Sequence, residues 1–205
     1  MRTSIWFVRH GQTEANRARR YLGRGDSPLT EYGLRQHDAV AHRLRALPFT
    51  HAVVSPTQRT RALAAALMRD RSIPLIEDPR WIEVDHGLWE GLTYREVGQR
   101  FPVDAQTRWT QGVDGRPTGG ESLAEAAARV AAAWQELLVS YRGGRILVVT
   151  HATPIQLVLC FCCNTPIADH WRWRIDLGSI TALDVYGSSI IIRTVNTVPP
   201  LGRYG

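Results

Sequence analysis

The tripeptide Arg9-His10-Gly11 brings a cation, an imidazole and a flexible backbone to one point of the chain. It directly follows the apolar run 5–8, which has the length and composition of a short buried strand. Arginine binds phosphate oxygens through a planar fork, histidine attacks or transfers protons near neutral pH, and glycine lets a ligand approach the backbone. At the carboxyl end of a strand, this combination predicts an anion-binding site with a nucleophile.

Three other polar residues stand where a second anion ligand or a proton donor is needed. Arg59 lies just after the apolar run that ends at Val54, and His151 follows the very apolar run 145–150. Glu83 lies in an irregular polar segment, where the residues alone do not distinguish it from Asp85 or Glu90. Ligands of open α/β sheets bind at the carboxyl ends of strands, so these residues are expected to meet Arg9 and His10 in one cavity. A single histidine of this kind is more often structural, but two of them at two strand ends favour a catalytic site.

The elements that must position these residues follow from hydrophobic spacing. Apolar runs predict strands at 4–8, 51–54, 73–76 and 145–150, and a hairpin of 180–186 with 189–195. Helical spacing predicts helices at 31–47, 57–70, 121–141 and 153–163. Thr30 and Ser122 are predicted N-caps, and Glu125 completes a capping box with Ser122. Pro74 places its strand near a sheet edge, whereas 145–150 is typical of a sheet centre.

This alternation of strand and helix predicts an α/β fold with a mostly parallel sheet. The chain has 205 residues and is interpreted as one domain, 1–205. The segment 78–120 is less regular, and we interpret it as a lid-like insert that contains about two short helices. Its aromatic residues Trp81, Trp89, Phe101 and Trp109 either form an apolar wall beside the site or belong to the core. The tail 199–202 is predicted to be extended.

Composition limits the possible partners. No apolar run approaches the ~20 residues of a membrane span, and the first residues do not read as a signal peptide, so we expect a cytoplasmic protein without a membrane partner. Cysteines 160, 162 and 163 are expected to be buried thiols. The net charge is +6, and all 25 basic residues are arginines, dispersed among Asp and Glu. That dispersion favours an acidic small molecule over nucleic acid.

Six motifs, taken together, resemble the histidine phosphatase superfamily, also called phosphoglycerate mutase-like. The resemblance covers residues 5 to about 186 and is highly specific, because the motifs occur in the family's order. Thr60 stands where alanine is common, and Ala152 stands where glycine usually follows the second histidine. The motifs are RHGQTEAN at 9–16, GRGDSPLT at 23–30, SPTQR at 55–59, EVDHGLWEG at 83–91, GGES at 119–122 and TH at 150–151.

The resemblance implies a three-layer α/β/α sandwich and assigns roles. His10 would attack phosphorus and carry a phosphohistidine, with a backbone carbonyl on its other nitrogen fixing the tautomer. Glu83 would protonate the leaving oxygen and then take a proton from the hydrolytic water. His151 would share the phosphoryl oxygens with the cations. The resemblance places phosphate-binding groups at Arg9, Asn16, Gly23 (backbone), Arg59 and Ala152 (backbone N–H). It implies no metal and no cofactor, because arginine and histidine supply the positive charge.

Several reactions remain open. The stretch from Glu83 to His151 is shorter than the insert that phosphoglycerate mutases usually carry, which favours a phosphatase of small phosphorylated metabolites over a mutase. A phosphate-binding module without activity is the other class, but such a module should have lost His10, Glu83 or an arginine. The final strand and tail leave a homodimer open.

The substrate prediction rests on His86, which lies three residues after Glu83. Metal-independent phosphoserine phosphatases of the superfamily resemble the chain at this position. A histidine here could bind a carboxylate beside the phosphate, so L-phosphoserine is the preferred candidate. The alternatives are α-ribazole phosphate, 3-phosphoglycerate, glucosyl-phosphoglycerate and a broad set of phosphomonoesters, with His86 merely packing under the lid.

Overall fold

Two apolar strands, Arg2–Arg9 and Arg145–Thr150, form the centre of the sheet in this computed structural model. The structure describes residues 1–201, apart from the side chain of Trp109, so residue 202 of the predicted tail lies outside the described part. The strands run in the order β3-β2-β4-β1-β5-β6, and β1 to β4 are mutually parallel where they pair. β5 and β6 continue the sheet in antiparallel fashion. The strands are β1 Arg2–Arg9, β2 His51–Val54, β3 Leu75–Glu77, β4 Arg145–Thr150, β5 Ile180–Tyr186 and β6 Ser189–Thr197.

Helices cover both faces of this sheet, which confirms the three-layer α/β/α sandwich. Side chains alternate along a strand. Phe7 therefore packs into the core beneath the helices 123–140 and 152–163, whereas Val8 packs into the core on the other face, beneath the helices 31–44 and 58–68. Both of these side chains are fully buried. The α-helices are α1 Glu14–Arg17, α2 Glu31–Leu44, α3 Gln58–Met68, α4 Tyr94–Arg100, α5 Pro102–Thr110, α6 Leu123–Ser140 and α7 Ala152–Cys163.

Most predicted elements are confirmed, with shifts at their ends. Thr30 and Ser122 cap α2 and α6 through their hydroxyls, each worth about 1 kcal/mol. α2 ends at Leu44 rather than at residue 47, and the guanidinium of Arg71 donates to the Leu44 carbonyl there. β3 is Leu75–Glu77 rather than 73–76, because Pro74 has no N–H to donate.

Residues 78–120 contain the two predicted helices, α4 and α5, together with 3₁₀ turns at Pro79–Trp81, Gly87–Trp89 and Gly112–Asp114. Trp81 is a core residue, with its ring centroid 5.6 Å from that of Phe7. Trp89 instead lines a large cavity beside the sheet. The side chain of Trp109 lies outside the described residues.

Two further expectations concern the burial of the cysteines and a membrane-spanning helix. Cys160 is buried and Cys162 is partly buried, but the prediction of a buried thiol is wrong for Cys163, which is exposed at the end of α7. Within residues 1–201, no helix has the length and apolar character needed to cross a bilayer.

Candidate active site

His10 and His151 lie side by side because their strands are parallel neighbours. Arg9 pairs with Thr150 in the register of β1 and β4, so the residues that follow occupy equivalent places. Their ring centroids are 5.2 Å apart, and the ring planes are inclined by 66°. Both rings are buried. The sheet register therefore produces the pairing of the two histidines.

The two ring nitrogens of His10 have different partners. Nδ1 lies 2.8 Å from the Gly11 carbonyl oxygen, which only accepts, so Nδ1 carries the proton. Nε2 accepts from Arg59 Nε at 3.3 Å and is therefore unprotonated. Burial, reinforced by the charges of Arg59 and Arg9, holds the pKa of His10 well below its usual value. The neutral ring thus has the tautomer that a nucleophilic Nε2 requires.

Arg59 points from the first turn of α3 back to the strand ends. The helix begins after Thr57, which forms a capping box with the third helical residue. The guanidinium is buried, and it donates through Nη1 to the Gly25 carbonyl at 2.7 Å and through Nη2 to the Gly23 carbonyl at 2.6 Å. Burial lowers the pKa of Arg59, but an arginine side chain stays protonated in proteins. The two carbonyls therefore hold a fixed positive charge beside His10.

Arg9 supplies a second fixed charge. Its Nη1 donates to the Ile175 carbonyl at 2.6 Å, while its Nε is buried and has no hydrogen-bond partner within residues 1–201. Burial lowers the pKa of Arg9, an effect that the charge of Glu83 opposes. A buried donor without an acceptor is costly, and a phosphoryl oxygen would satisfy it.

Ser55 fixes the orientation of His151. Arg59 Nη2 lies 3.3 Å from His151 Nδ1, and since a guanidinium only donates, Nδ1 accepts. Nε2 then carries the proton and donates to Ser55 Oγ at 2.7 Å. Burial and the charge of Arg59 hold the pKa of His151 well below its usual value. His151 is thus neutral, in the opposite tautomer to His10.

The carboxyl group of Glu83 lies at the amino end of α7, where backbone N–H groups are unpaired. Its Oε1 accepts from the Val84 N–H at 3.0 Å, and its Oε2 accepts from the Thr153 N–H at 3.4 Å. The residue is buried, at 8% exposure. Its charge acts on both Arg9 and Arg59, opposing the lowering of their pKa by burial, and its two N–H partners line the cavity described below.

Arg129 of α6 holds the backbone that carries Glu83. Its Nη1 donates to the carbonyls of Arg80 (2.9 Å) and Ile82 (2.7 Å), and its Nη2 donates to the Glu83 carbonyl (3.1 Å). Arg129 also pairs with Glu121 at 2.6 Å. The segment 80–83 is thereby attached to a long helix through three of its carbonyl groups.

The three remaining predicted phosphate ligands have other contacts as well. The side-chain carbonyl of Asn16 accepts from the N–H and hydroxyl of Thr13, which caps α1. The Gly23 N–H donates to the Glu90 carboxylate at 2.8 Å, and the Gly23 carbonyl accepts from Arg59 Nη2 at 2.6 Å. Ala152 is the first residue of α7, where an N–H has no intrahelical acceptor. Their roles as phosphate ligands stay predictions.

A cavity of about 690 Å³ opens beside Glu83. Val84 and Thr153, whose N–H groups bind the Glu83 carboxylate, line it. His86 also lines it, half-buried, with its ring centroid 4.9 Å from that of Tyr21. Burial lowers the pKa of His86. The cavity therefore has room for a substrate's alcohol portion, and His86 is one of its walls.

Arg108 of α5 is a cavity residue that sequence reasoning did not identify. It is half-buried, it donates to the Gly112 carbonyl at 3.0 Å, and it forms no ion pair with a carboxylate in the described part of the chain. Ser55 and Arg129 were also missed. Ser55 directly follows a strand, which was a usable signal, whereas Arg108 and Arg129 are ordinary helical arginines by sequence.

Residues 1–201 contain no group of three His, Cys, Asp or Glu side chains that could hold a metal ion. The positive charge around His10 comes instead from Arg9 and Arg59. Whether the reaction is independent of metal stays a prediction.

Comparisons with known proteins agree with this geometry. A bifunctional protein of Mycobacterium tuberculosis is 36% identical over 196 residues, which cover 95% of this chain and 54% of that protein. Phosphoserine phosphatase 1 of Hydrogenobacter thermophilus is 28% identical over 202 residues, covering 96% and 93%. The structure of the alpha-ribazole phosphatase from Shigella flexneri has a TM-score of 0.90 at 26% identity, covering 97% and 98%. This chain thus spans about half the length of the mycobacterial relative.

Residues 5–198 match the sequence profile of the histidine phosphatase superfamily (branch 1). The match extends across all six strands and includes His10, Arg59, Glu83 and His151. The chain belongs to the histidine phosphatase superfamily.

Proposed function

We propose that this protein is a metal-independent phosphomonoester hydrolase that acts on a small phosphorylated metabolite through a phosphohistidine at His10. The observation that carries the proposal is the unprotonated Nε2 of His10, held next to the buried Arg59 and the partly buried Arg9, with Glu83 nearby. Nucleophile, fixed cations and a proton donor are the groups that phosphoryl transfer requires.

The first step forms the bond between His10 Nε2 and phosphorus and breaks the ester P–O bond. Arg9 and Arg59 would bind the phosphoryl oxygens, whose charge redistributes in the transition state. His151 would join them in the form that carries a proton on Nδ1, the nitrogen that faces Arg59 in this structure. Two N–H donors are available for these oxygens: Arg9 Nε, which has no hydrogen-bond partner within residues 1–201, and Arg59 Nε, which contacts His10 Nε2 at 3.3 Å in this structure. Glu83 gives its proton to the leaving alcohol oxygen.

The second step hydrolyses the phosphohistidine. Glu83, now a carboxylate, takes a proton from water as the water oxygen attacks phosphorus. The P–N bond breaks, its electron pair returns to His10 Nε2, and inorganic phosphate leaves. Glu83 ends protonated, ready for another cycle.

The decisive experiment is phosphate release in EDTA from a panel of L-phosphoserine, 3-phosphoglycerate, α-ribazole phosphate and p-nitrophenyl phosphate. We expect turnover without added metal. Loss of activity in EDTA that a divalent cation restores would refute metal independence. Isomerisation of 3-phosphoglycerate without phosphate release would identify a mutase, the second reaction that the sequence left open.

For the substrate we propose a phosphate ester that also carries a carboxylate, with L-phosphoserine preferred. Arg108 and His86 line the same cavity, and Arg108 has a charge that no carboxylate in residues 1–201 balances by an ion pair. A carboxylate on the alcohol portion of the substrate would provide that balance. The phosphoserine phosphatase among the relatives supports this choice.

Substitution of His86 by alanine, or of Arg108 by methionine, is expected to raise KM for L-phosphoserine by about 10–100-fold, the loss of one charge-assisted hydrogen bond. KM for p-nitrophenyl phosphate, which lacks a carboxylate, should change little. Arg100→Met is the matched control, because Arg100 ends α4 in the same insert but does not line the cavity. Equal effects on both substrates would exclude carboxylate recognition.

The remaining assignments are also part of the proposal. Residues 1–205 would form one domain in which 78–120 covers the cavity. A cytoplasmic location, the absence of nucleic-acid and membrane partners, and a homodimer stay predictions.

A further inference from the structure

Besides the Arg59 contact at Nε2, the tautomer of His10 depends on the direction of one peptide group at Nδ1. Nδ1 is protonated because the Gly11 carbonyl accepts from it at 2.8 Å. That carbonyl belongs to the same peptide unit as the Gln12 N–H, and in a trans peptide the two groups point in opposite directions. Whatever holds the Gln12 N–H therefore directs the carbonyl towards His10.

Gln36 of α2 holds this N–H. Its Oε1 accepts from the Gln12 N–H at 2.8 Å, and its Nε2 donates to the Leu177 carbonyl at 2.8 Å. Leu177 lies in the loop whose Ile175 carbonyl binds Arg9. The buried amide of Gln36 thus connects the segment after β1 with the loop that orients Arg9.

His37, the next residue of α2, holds the preceding peptide. The Gly11 N–H donates to His37 Nε2 at 2.8 Å, and the His10 carbonyl of that unit accepts from the Gly178 N–H at 3.0 Å. Nε2 accepts only while it is unprotonated. Burial lowers the pKa of His37 to about 4, which keeps the ring neutral at neutral pH. Two consecutive N–H groups are therefore bound by two consecutive side chains.

Close backbone approach makes this arrangement possible. A Cβ at Gly11 would lie 2.5 Å from the Gly33 carbonyl oxygen and 2.9 Å from His37 Cδ2. A Cβ at Gly33 would lie 2.1 Å from the Gln12 carbonyl oxygen. Glycine at both positions lets the first turns of α2 lie directly against the segment after β1.

We infer that Gln36 and His37 are positioning residues that set the tautomer and orientation of His10 from outside the site. Neither lines the cavity, and neither contacts the His10 ring through a hydrogen bond. They act by fixing the peptide groups on either side of Gly11. The inference rests on the proposed function, since it assumes that His10 Nε2 is the nucleophile.

The test compares Gln36→Met and His37→Leu, which remove the bonds, with His37→Gln, whose amide oxygen can replace Nε2 as the acceptor. We expect kcat for p-nitrophenyl phosphate to fall by about 10–100-fold in the first two, as for other residues that orient a reactive group. KM should stay within about threefold, and His37→Gln should recover kcat to within about threefold of the unmodified protein. Unchanged kcat in folded Met and Leu variants would overturn the inference.

A measurement on the unmodified protein does not depend on how the variants fold. Nitrogen-15 NMR of the imidazoles should show His10 protonated at Nδ1 and His37 neutral with a free Nε2. The Met and Leu variants, if folded, should show a mixture of His10 tautomers. A His10 protonated at Nε2, or a charged His37, at neutral pH would overturn the inference. If His10→Ala retained activity, the proposed function would fail while these spectra could still establish the positioning role.

Discussion

Replacement of His10 by alanine is expected to lower turnover by about 10⁴-fold or more, because His10 Nε2 would form the covalent bond to phosphorus. Its Nε2 is unprotonated and lies beside the Arg59 guanidinium, with a second histidine ring 5.2 Å away. His151 is held in a different way, because its Nε2 carries the proton and bonds to Ser55 while its Nδ1 accepts from Arg59 Nη2. Steady-state phosphate release from p-nitrophenyl phosphate measures the loss.

The phosphohistidine intermediate should be detectable when the same reaction is quenched during turnover. Rapid quenching in alkali, during turnover of a phosphorus-labelled substrate, should leave label on the unmodified protein but not on His10→Ala. His51→Ala is the matched control, since His51 starts β2 at the opposite end of the sheet from the site. A His10→Ala variant with near-normal rates, or one that still carries label, would refute the proposed nucleophile.

Glu83→Gln is expected to separate the two steps. An alkyl phosphate needs a proton on its leaving oxygen, so kcat/KM for the best alkyl substrate of the panel should fall by about 10²–10⁴-fold. p-Nitrophenolate leaves without a proton, so its release should still show a burst of about one equivalent per site. Steady-state turnover should then be slow, because no carboxylate activates water against the phosphohistidine. Stopped-flow absorbance measures both phases.

Glutamine retains one oxygen, which can accept from the Val84 N–H, so this variant should lose only the longer 3.4 Å bond from the Thr153 N–H and keep its local structure. Glu136→Gln is the matched control, because Glu136 lies on α6, is exposed and forms an ion pair with Arg80. Equal losses for both classes of substrate, without a burst, would contradict the acid and base roles of Glu83. Unchanged alkyl phosphate hydrolysis would contradict them as well.

The pairing of His10 with His151 could be predicted from sequence because both follow apolar strands. Parallel strands deliver their carboxyl ends to one edge of a sheet, and that rule needs no coordinates. The same reasoning predicted Arg59 beside them, as well as the caps at Thr30 and Ser122, because these depend on local spacing. Glu83 could be chosen over its acidic neighbours only through the family resemblance.

Other features could not be predicted from the sequence, because they depend on how side chains of distant elements meet in the folded protein. Ser55 acts on His151 across two strands, and Arg129 reaches Glu83 from α6. Arg108 is distinguished from other helical arginines only by facing a cavity without a carboxylate partner in the described residues. The exposure of Cys163 likewise depends on where α7 ends in space.

The sequence by itself determined the α/β class, the family and the set of reactive residues, because periodicity and motif spacing are local properties. Only the tertiary structure decided which nitrogen of each histidine is protonated. That choice depends on Gly11, Ser55 and Arg59, and in the case of Gly11 on a peptide group held by Gln36 of a different element. Proton positions follow from the geometry of donors and acceptors, and residues far apart in the chain acquire that geometry only on folding.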